Sequence, residues 1–285
     1  MRRLLGAFYW QRYPEARLEM NSSTPPQPYP WRLFLLLFTA DVLSALAILP
    51  IARDMLGAIV SRVALPNTPL PLLIGAGIVQ NLAILAFTVW LGLKLSRRLG
   101  LGAPLLESWV TGKPASKARL VQTLEAGLLT GVAVGIVLLI SLLVLAPRLP
   151  NLPFVIAAKL SVWKRFLACF YGGVYEELLT RLFLLTLVGW IVNRSWRKTA
   201  QSLSVFAFWF ANIFVAIIFG VGHLPSASLF MPITALVVIA ALILNGVAGI
   251  AFGYLYRKHG LEAAMVAHFT ADFVIYVAGP ALLKQ

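Results

Sequence analysis

Val174 to Val192 reads "VYEELLTRLFLLTLVGWIV", a stretch long and apolar enough to enter a membrane that nonetheless carries Glu176, Glu177 and Arg181. An ionised side chain at the centre of a span costs roughly 2.5–3.5 kcal/mol on insertion scales, so such groups call for a partner inside the protein. Glu177 and Arg181 lie four residues apart, on nearly one helical face, and form the natural ion pair. Glu176 is five residues from Arg181 and turns away from it, which leaves one carboxylate to face another element and to accept a proton. The alternative for this trio is a purely structural network that pins helices together.

The surroundings place the stretch in a bilayer. The 285 residues are 60% hydrophobic and 12% charged, with a mean hydropathy of +0.86. Hydrocarbon ~30 Å thick takes about 20 apolar residues per helix. Windows of that kind fall near 33–51, 70–93, 122–146, 166–193, 203–223, 232–256 and 261–283. The expected fold is therefore all-α, a polytopic transmembrane bundle of about seven spans, with an eighth if 152–162 inserts as a re-entrant piece.

The net charge of +14 raises a nucleic-acid partner, but the basic residues sit between the apolar windows rather than on a polar module. With the N-terminus inside, sixteen Lys and Arg fall on inner segments and seven on outer ones. That asymmetry follows the positive-inside rule and points to a lipid bilayer, with no nucleic acid. The N-terminal segment lacks a secretory signal pattern and reads as a basic surface segment. "NSSTPPQPYP" at 21–30 is a hinge. Three parts follow: 1–32, basic cytoplasmic segment and hinge; 33–150, N-terminal transmembrane helices; 151–285, the expected working core. A prokaryotic plasma membrane is the expected location. The single cysteine, Cys169, is read as a buried small hydrophobe.

Two further pairs repeat the four-residue spacing. Phe219 and His223 share a face in "IIFGVGHLP", and His268 and Asp272 share one in "VAHFTADFV". A lone helical histidine is usually a satisfied interior residue, but these helices also supply the acidic pair, which favours one polar site. Asp272 within reach of His268 could fix its tautomer or share its proton. Straight, fully spanning helices would put His223 near the outer end and His268 nearer the inner third, so their meeting requires short or tilted helices around a cavity. Asp41, Asn81, Glu125 and Asn212 read as interhelical hydrogen-bonding groups. His259 reads as an exposed loop residue, and Gly249 and Gly253 as a close-packing pair.

EExxxR at Glu176, Glu177 and Arg181, FxxxH at Phe219 and His223, and the HxxxN-or-D element at His268 and Asp272 together resemble the CPBP family of intramembrane proteases, which includes the CAAX prenyl endopeptidases and the Abi and bacteriocin-processing proteins. The resemblance covers about 165–280; the first 160 residues carry none. It implies an intramembrane endopeptidase whose substrate is a membrane-associated peptide or a lipidated protein C-terminus. In it Glu176 with His223 would activate water, His268 and Asp272 would stabilise the oxyanion, and Glu177, Arg181 and Phe219 would support the site. Asp272 stands where the family often has Asn, and an ionised Asp cannot donate to an oxyanion. The expectation is no obligate cofactor; if zinc were bound, its ligands would be Glu176, His223 and His268. The competing readings are a non-catalytic membrane scaffold or regulator that keeps the fold, and a transporter using the two glutamates as a proton relay.

Overall fold

Eleven labelled α-helices and three π-helical segments, with no strand, make up the described residues. The computed structural model describes residues 29–53, 70–149, 155, 157–196 and 202–282, and the unit 31–285 is compact. The surface segment, most of the hinge and much of 152–162 lie outside the described residues.

Helices α1 (Trp31–Ala47), α2 (Leu70–Leu99), the short α3 (Pro104–Val110) and α4 (Lys117–Leu145) come first. Next, α5 (Val162–Phe170) runs through π-helical Tyr171–Glu176 and Leu178–Leu185 into α6 (Thr186–Trp196). The remainder is α7 (Val205–Gly222), α8 (Leu224–Ser228), α9 (Ala235–His259) and α10 (Leu261–Asp272), followed by π-helical Phe273–Ala278 and α11 (Gly279–Leu282).

Among the described residues six helices are long and apolar enough to cross a membrane. The seventh expected window, 166–193, lies in the α–π–α run from Val162 to Trp196, where wide turns interrupt the regular helix. The outer surface is correspondingly apolar: Leu129, Ile136, Ile140 and Val144 on α4, and Phe206, Phe210 and Ile217 on α7, are all exposed. In lipid this is the favourable arrangement, because the hydrocarbon solvates these side chains. The chain is an integral membrane protein.

Helix starts are marked by hydroxyl caps that satisfy otherwise orphaned amides. Ser116 Oγ accepts from Arg119 N at 3.2 Å and Ser204 Oγ from Ala207 N at 3.2 Å. Between α9 and α10 the chain reverses at Gly260, whose φ of +96° suits a residue without a Cβ. That end of the bundle is tied down by Leu261 N donating to Gly102 O at 2.9 Å and Leu106 N donating to Glu262 Oε1 at 2.8 Å.

Small residues decide how closely the helices approach, since in lipid the association rests on packing rather than on hydrophobic expulsion. Gly127, Gly131 and Gly135 line one face of α4, and a Cβ there would meet Ala263 O at 2.9 Å, Ala267 O at 2.5 Å and Val274 Cβ at 2.8 Å respectively. So α4 presses on α10 and the π-helical turn after it, an element of the N-terminal part holding one of the core. The expected glycine pair on α9 behaves as anticipated: Gly249 lies against Ala216 and Gly253 against Asn212, whose Nδ2 donates to Ile250 O at 3.1 Å.

Other polar expectations are corrected. Asn81 and Glu125 face outward, so within the chain they bridge no helices. Asp41 is buried at 1% exposure, but neither carboxyl oxygen has a hydrogen-bond partner. His259 is the last, half-buried residue of α9 rather than part of a loop. Cys169 is buried and free.

Candidate active site

The π-helical turns are the local feature on which the site is built. A π turn bonds i to i+5, is rare, and concentrates at functional positions. Here it occupies Tyr171–Glu176 and Leu178–Leu185, flanking Glu177. Hydroxyls satisfy backbone carbonyls displaced from α-helical bonding: Thr180 Oγ1 donates to Glu176 O, and Thr186 Oγ1 donates to Arg181 O at 3.0 Å.

Gly172 and Gly173 let α10 lie directly against this widened helix. A Cβ at Gly173 would stand 2.8 Å from Phe269 Cβ and 3.1 Å from Met265 O, and one at Gly172 would run into the Asp272 carboxylate and lie 3.1 Å from His268 Nε2. The "YGG" before the glutamates is the signal that sequence reasoning overlooked. Helices this close, with a glycine pair on one and chemistry on the other, bring His268 onto the acidic pair.

Glu177 is fully buried, and its Oε1 accepts from Arg181 Nη1 at 3.0 Å and from His268 Nδ1 at 2.7 Å. Arg181, 2% exposed, also donates to Gly249 O at 3.2 Å and to Thr180 Oγ1. Its guanidinium lies 5.4 Å from the Phe219 ring centroid and 5.7 Å from that of Phe252, close enough for attraction to both π faces. The expected i, i+4 pair is present, and the pair does more than expected: Glu177, rather than Asp272, orients the His268 ring.

With Nδ1 engaged, the other ring nitrogen of His268 looks toward two carboxylates. Nε2 is 3.6 Å from Glu176 Oε2 and 3.8 Å from Asp272 Oδ2. Both carboxylates retain some exposure, 19% for Glu176 and 16% for Asp272. Both also line a cavity of about 380 Å³.

His223 lines the same cavity, and among the described residues its ring partner is Phe219. It caps α7, and its Nδ1 donates to Phe219 O at 2.7 Å. Phe219 stands between the imidazoles, edge-on to His223 at 4.7 Å and to His268 at 6.0 Å. His223 and His268 thus meet as residues lining one cavity, with Phe219 between their rings. Among the described residues His223 forms no ion pair with Glu176, and no group of three His, Cys, Asp or Glu is arranged to hold a metal ion.

Asn245 on α9, its Nδ2 donating to Ala241 O at 2.9 Å, also lines the cavity, as do Arg165 and Tyr171. These residues carry no recognisable spacing; only the folded chain collects them.

Searches among curated proteins and among solved structures gave no match. Residues 157–274 match the model of the family described as type II CAAX prenyl endopeptidase Rce1-like. The matched segment contains Glu176, Glu177, Arg181, His223, His268 and Asp272, and over that segment, less than half of the chain, the protein is similar to the CAAX protease family.

Proposed function

We propose that the protein is an intramembrane endopeptidase in which Glu176 activates a water to cleave a membrane-associated or lipidated peptide near its C-terminus. The observation that carries this reading is the division of labour between adjacent glutamates. Glu177 is fully buried on Arg181 and His268, while Glu176 stands at the cavity wall with its carboxylate 3.6 Å from His268 Nε2.

The remaining roles follow from donors and acceptors. Because Phe219 O is a carbonyl and can only accept, His223 must donate from Nδ1, and Nε2 of the neutral ring is left as an acceptor. A water placed between His223 Nε2 and Glu176 gives one hydrogen to each and presents a lone pair to the scissile carbonyl. Glu176 takes the proton as the C–O bond forms. An acceptor-only Glu177, held by Arg181, fixes the His268 proton on Nδ1. A proton carried by His268 Nε2 or by Asp272, whose Oδ2 lies 3.8 Å from that nitrogen, then serves the oxyanion in the place of the amide that an Asn would supply. Collapse of the tetrahedral species breaks the C–N bond, and Glu176 returns its proton to the leaving amine. No step needs a metal.

The cavity wall supports an apolar substrate. Leu138, Leu142, Ile48 and Leu244 line it beside the polar groups, which suits the lipidated or apolar end of a chain. The test is cleavage of lipidated and unlipidated C-terminal peptides by the protein in liposomes. Glu176→Gln should lower the rate by about a hundredfold or more. Wild-type turnover in that variant would remove Glu176 from the chemistry. A wild-type protein that binds these peptides without ever cleaving them would identify a scaffold.

A further inference from the structure

Arg165 is the one residue of the cavity wall whose charge the proposed chemistry leaves unused. It sits on α5, is 3% exposed, and lines the same cavity as Glu176 and Asp272. Its Nη1 donates to Tyr276 O at 2.7 Å, but its Nε is buried with no hydrogen-bond partner. Among the described residues no carboxylate pairs with it. A guanidinium cannot shed its charge at ordinary pH, so a buried one without a counter-ion is an incomplete arrangement. The contrast with Arg181 is direct: that guanidinium has a carboxylate, a hydroxyl, a carbonyl and two aromatic faces.

We infer that Arg165 is a specificity-determining residue that binds a carboxylate of the peptide substrate inside the cavity, resting on the endopeptidase reading above. Anchoring by Nη1 to Tyr276 O fixes the guanidinium plane and leaves donors free for a bidentate or side-on carboxylate. Arg165 and Glu176 lie eleven positions apart along α5 and the π-helical turn that follows it, at most roughly 16 Å along the axis at the α-helical rise. An extended peptide spans that in about five residues. A carboxylate on Arg165 therefore sets the scissile bond within the last few residues if it is the terminal α-carboxylate, or a matching distance from an acidic side chain if it is not.

Three fluorogenic peptides of one sequence separate the sources: a free C-terminal acid, its C-terminal amide, and an amide carrying one Asp near the end. With wild-type protein in neutral-lipid vesicles, the free acid should show a KM about tenfold to a hundredfold below that of the plain amide, as loss of a charge-assisted contact requires. The effect should lie in KM rather than kcat, and the preference should disappear in Arg165→Met and partly return in Arg165→Lys. Recovery of the low KM by the Asp-bearing amide would assign the carboxylate to a side chain. Equal KM values for acid and amide, or an undiminished preference in Arg165→Met, would overturn the inference. The same peptides titrated against Glu176→Gln read the preference without turnover. Absence of cleavage thus counts against the proposed hydrolysis alone, and equal binding of acid and amide counts against Arg165 alone. The wild-type comparison needs no Arg165 variant, so misfolding of one cannot shield the claim.

Discussion

Replacing Arg181 with alanine removes the ion pair to Glu177 at 3.0 Å, the hydrogen bond to Gly249 O at 3.2 Å and the bond to Thr180, all at a site 2% exposed. The Glu177 carboxylate, fully buried, is left with His268 as its one partner, since its Oε2 has none even in the native chain. Breaking a buried pair on one side costs roughly 3–5 kcal/mol. The carbonyl of Gly249 loses a donor as well, and the void beside Phe219 and Phe252 adds to the cost. Taking about 4 kcal/mol, and about 2–4 °C for each kcal/mol in a chain of this size class, the melting midpoint should fall by roughly 8–16 °C.

Melting curves from tryptophan fluorescence in detergent, run beside peptide cleavage, provide the assay. Arg181→Ala should lose both stability and activity, because His268 is aligned through Glu177. Removing both charges, in Glu177→Gln with Arg181→Met, should restore much of the lost stability, since the carboxylate that had been stranded is gone. Glu176→Gln should abolish cleavage with the midpoint held or raised. If Arg181→Ala melts within about 2 °C of wild type, the buried pair carries no load. If Glu176→Gln destabilises as much as Arg181→Ala, the acidic pair is a structural network and Glu176 is not the base.

Gly172→Ala should displace the Asp272 carboxylate and crowd His268, lowering kcat at least about tenfold while the melting midpoint moves little; unchanged kcat would show that Asp272 has no part in the reaction. Gly131→Ala pushes a methyl into the backbone of Ala267 and should cost roughly 1–3 kcal/mol, read as a lower melting midpoint together with reduced cleavage through the shifted His268. Asp41→Leu replaces a buried carboxyl that has no partner and should raise the midpoint by a few degrees, for a gain of about 1–3 kcal/mol; a fall would reveal a partner for Asp41. Exhaustive chelation should leave cleavage largely intact, whereas loss that zinc restores would establish a metal enzyme.

How far the site could be read from the chain depends on which kind of information each residue carries. Glu177 and Arg181 were legible because four-residue spacing puts them on one face in an α-helix and still does so in a wider π turn. His268 and Asp272 were legible for the same reason, and their 3.8 Å separation agrees with the expectation. Spacing within one helix says nothing of which helix lies opposite. It gave no hint that Glu177 would reach the ring of His268, ninety-one residues away, or that Arg165 and Asn245 would share a wall with Glu176. The helix count was legible from hydropathy, except where π turns broke the span that matters most.

What could have been read, and was not, is the glycine pattern. "YGG" precedes the glutamates and "GLLTGVAVG" runs along α4, and each sequence marks a place where α10 is admitted to backbone contact. Catalytic carboxylates announce themselves in a membrane because they are costly there. Glycines do not, because their effect is felt only by the helix that packs on them. Yet α10 is held between these two glycine faces, Gly172 and Gly173 on one side and Gly127, Gly131 and Gly135 on the other. The position of His268 relative to Glu176 is therefore set jointly by the N-terminal helix α4 and by the π turns, and the part of the chain without any catalytic motif becomes half of the device that aligns the motif residues.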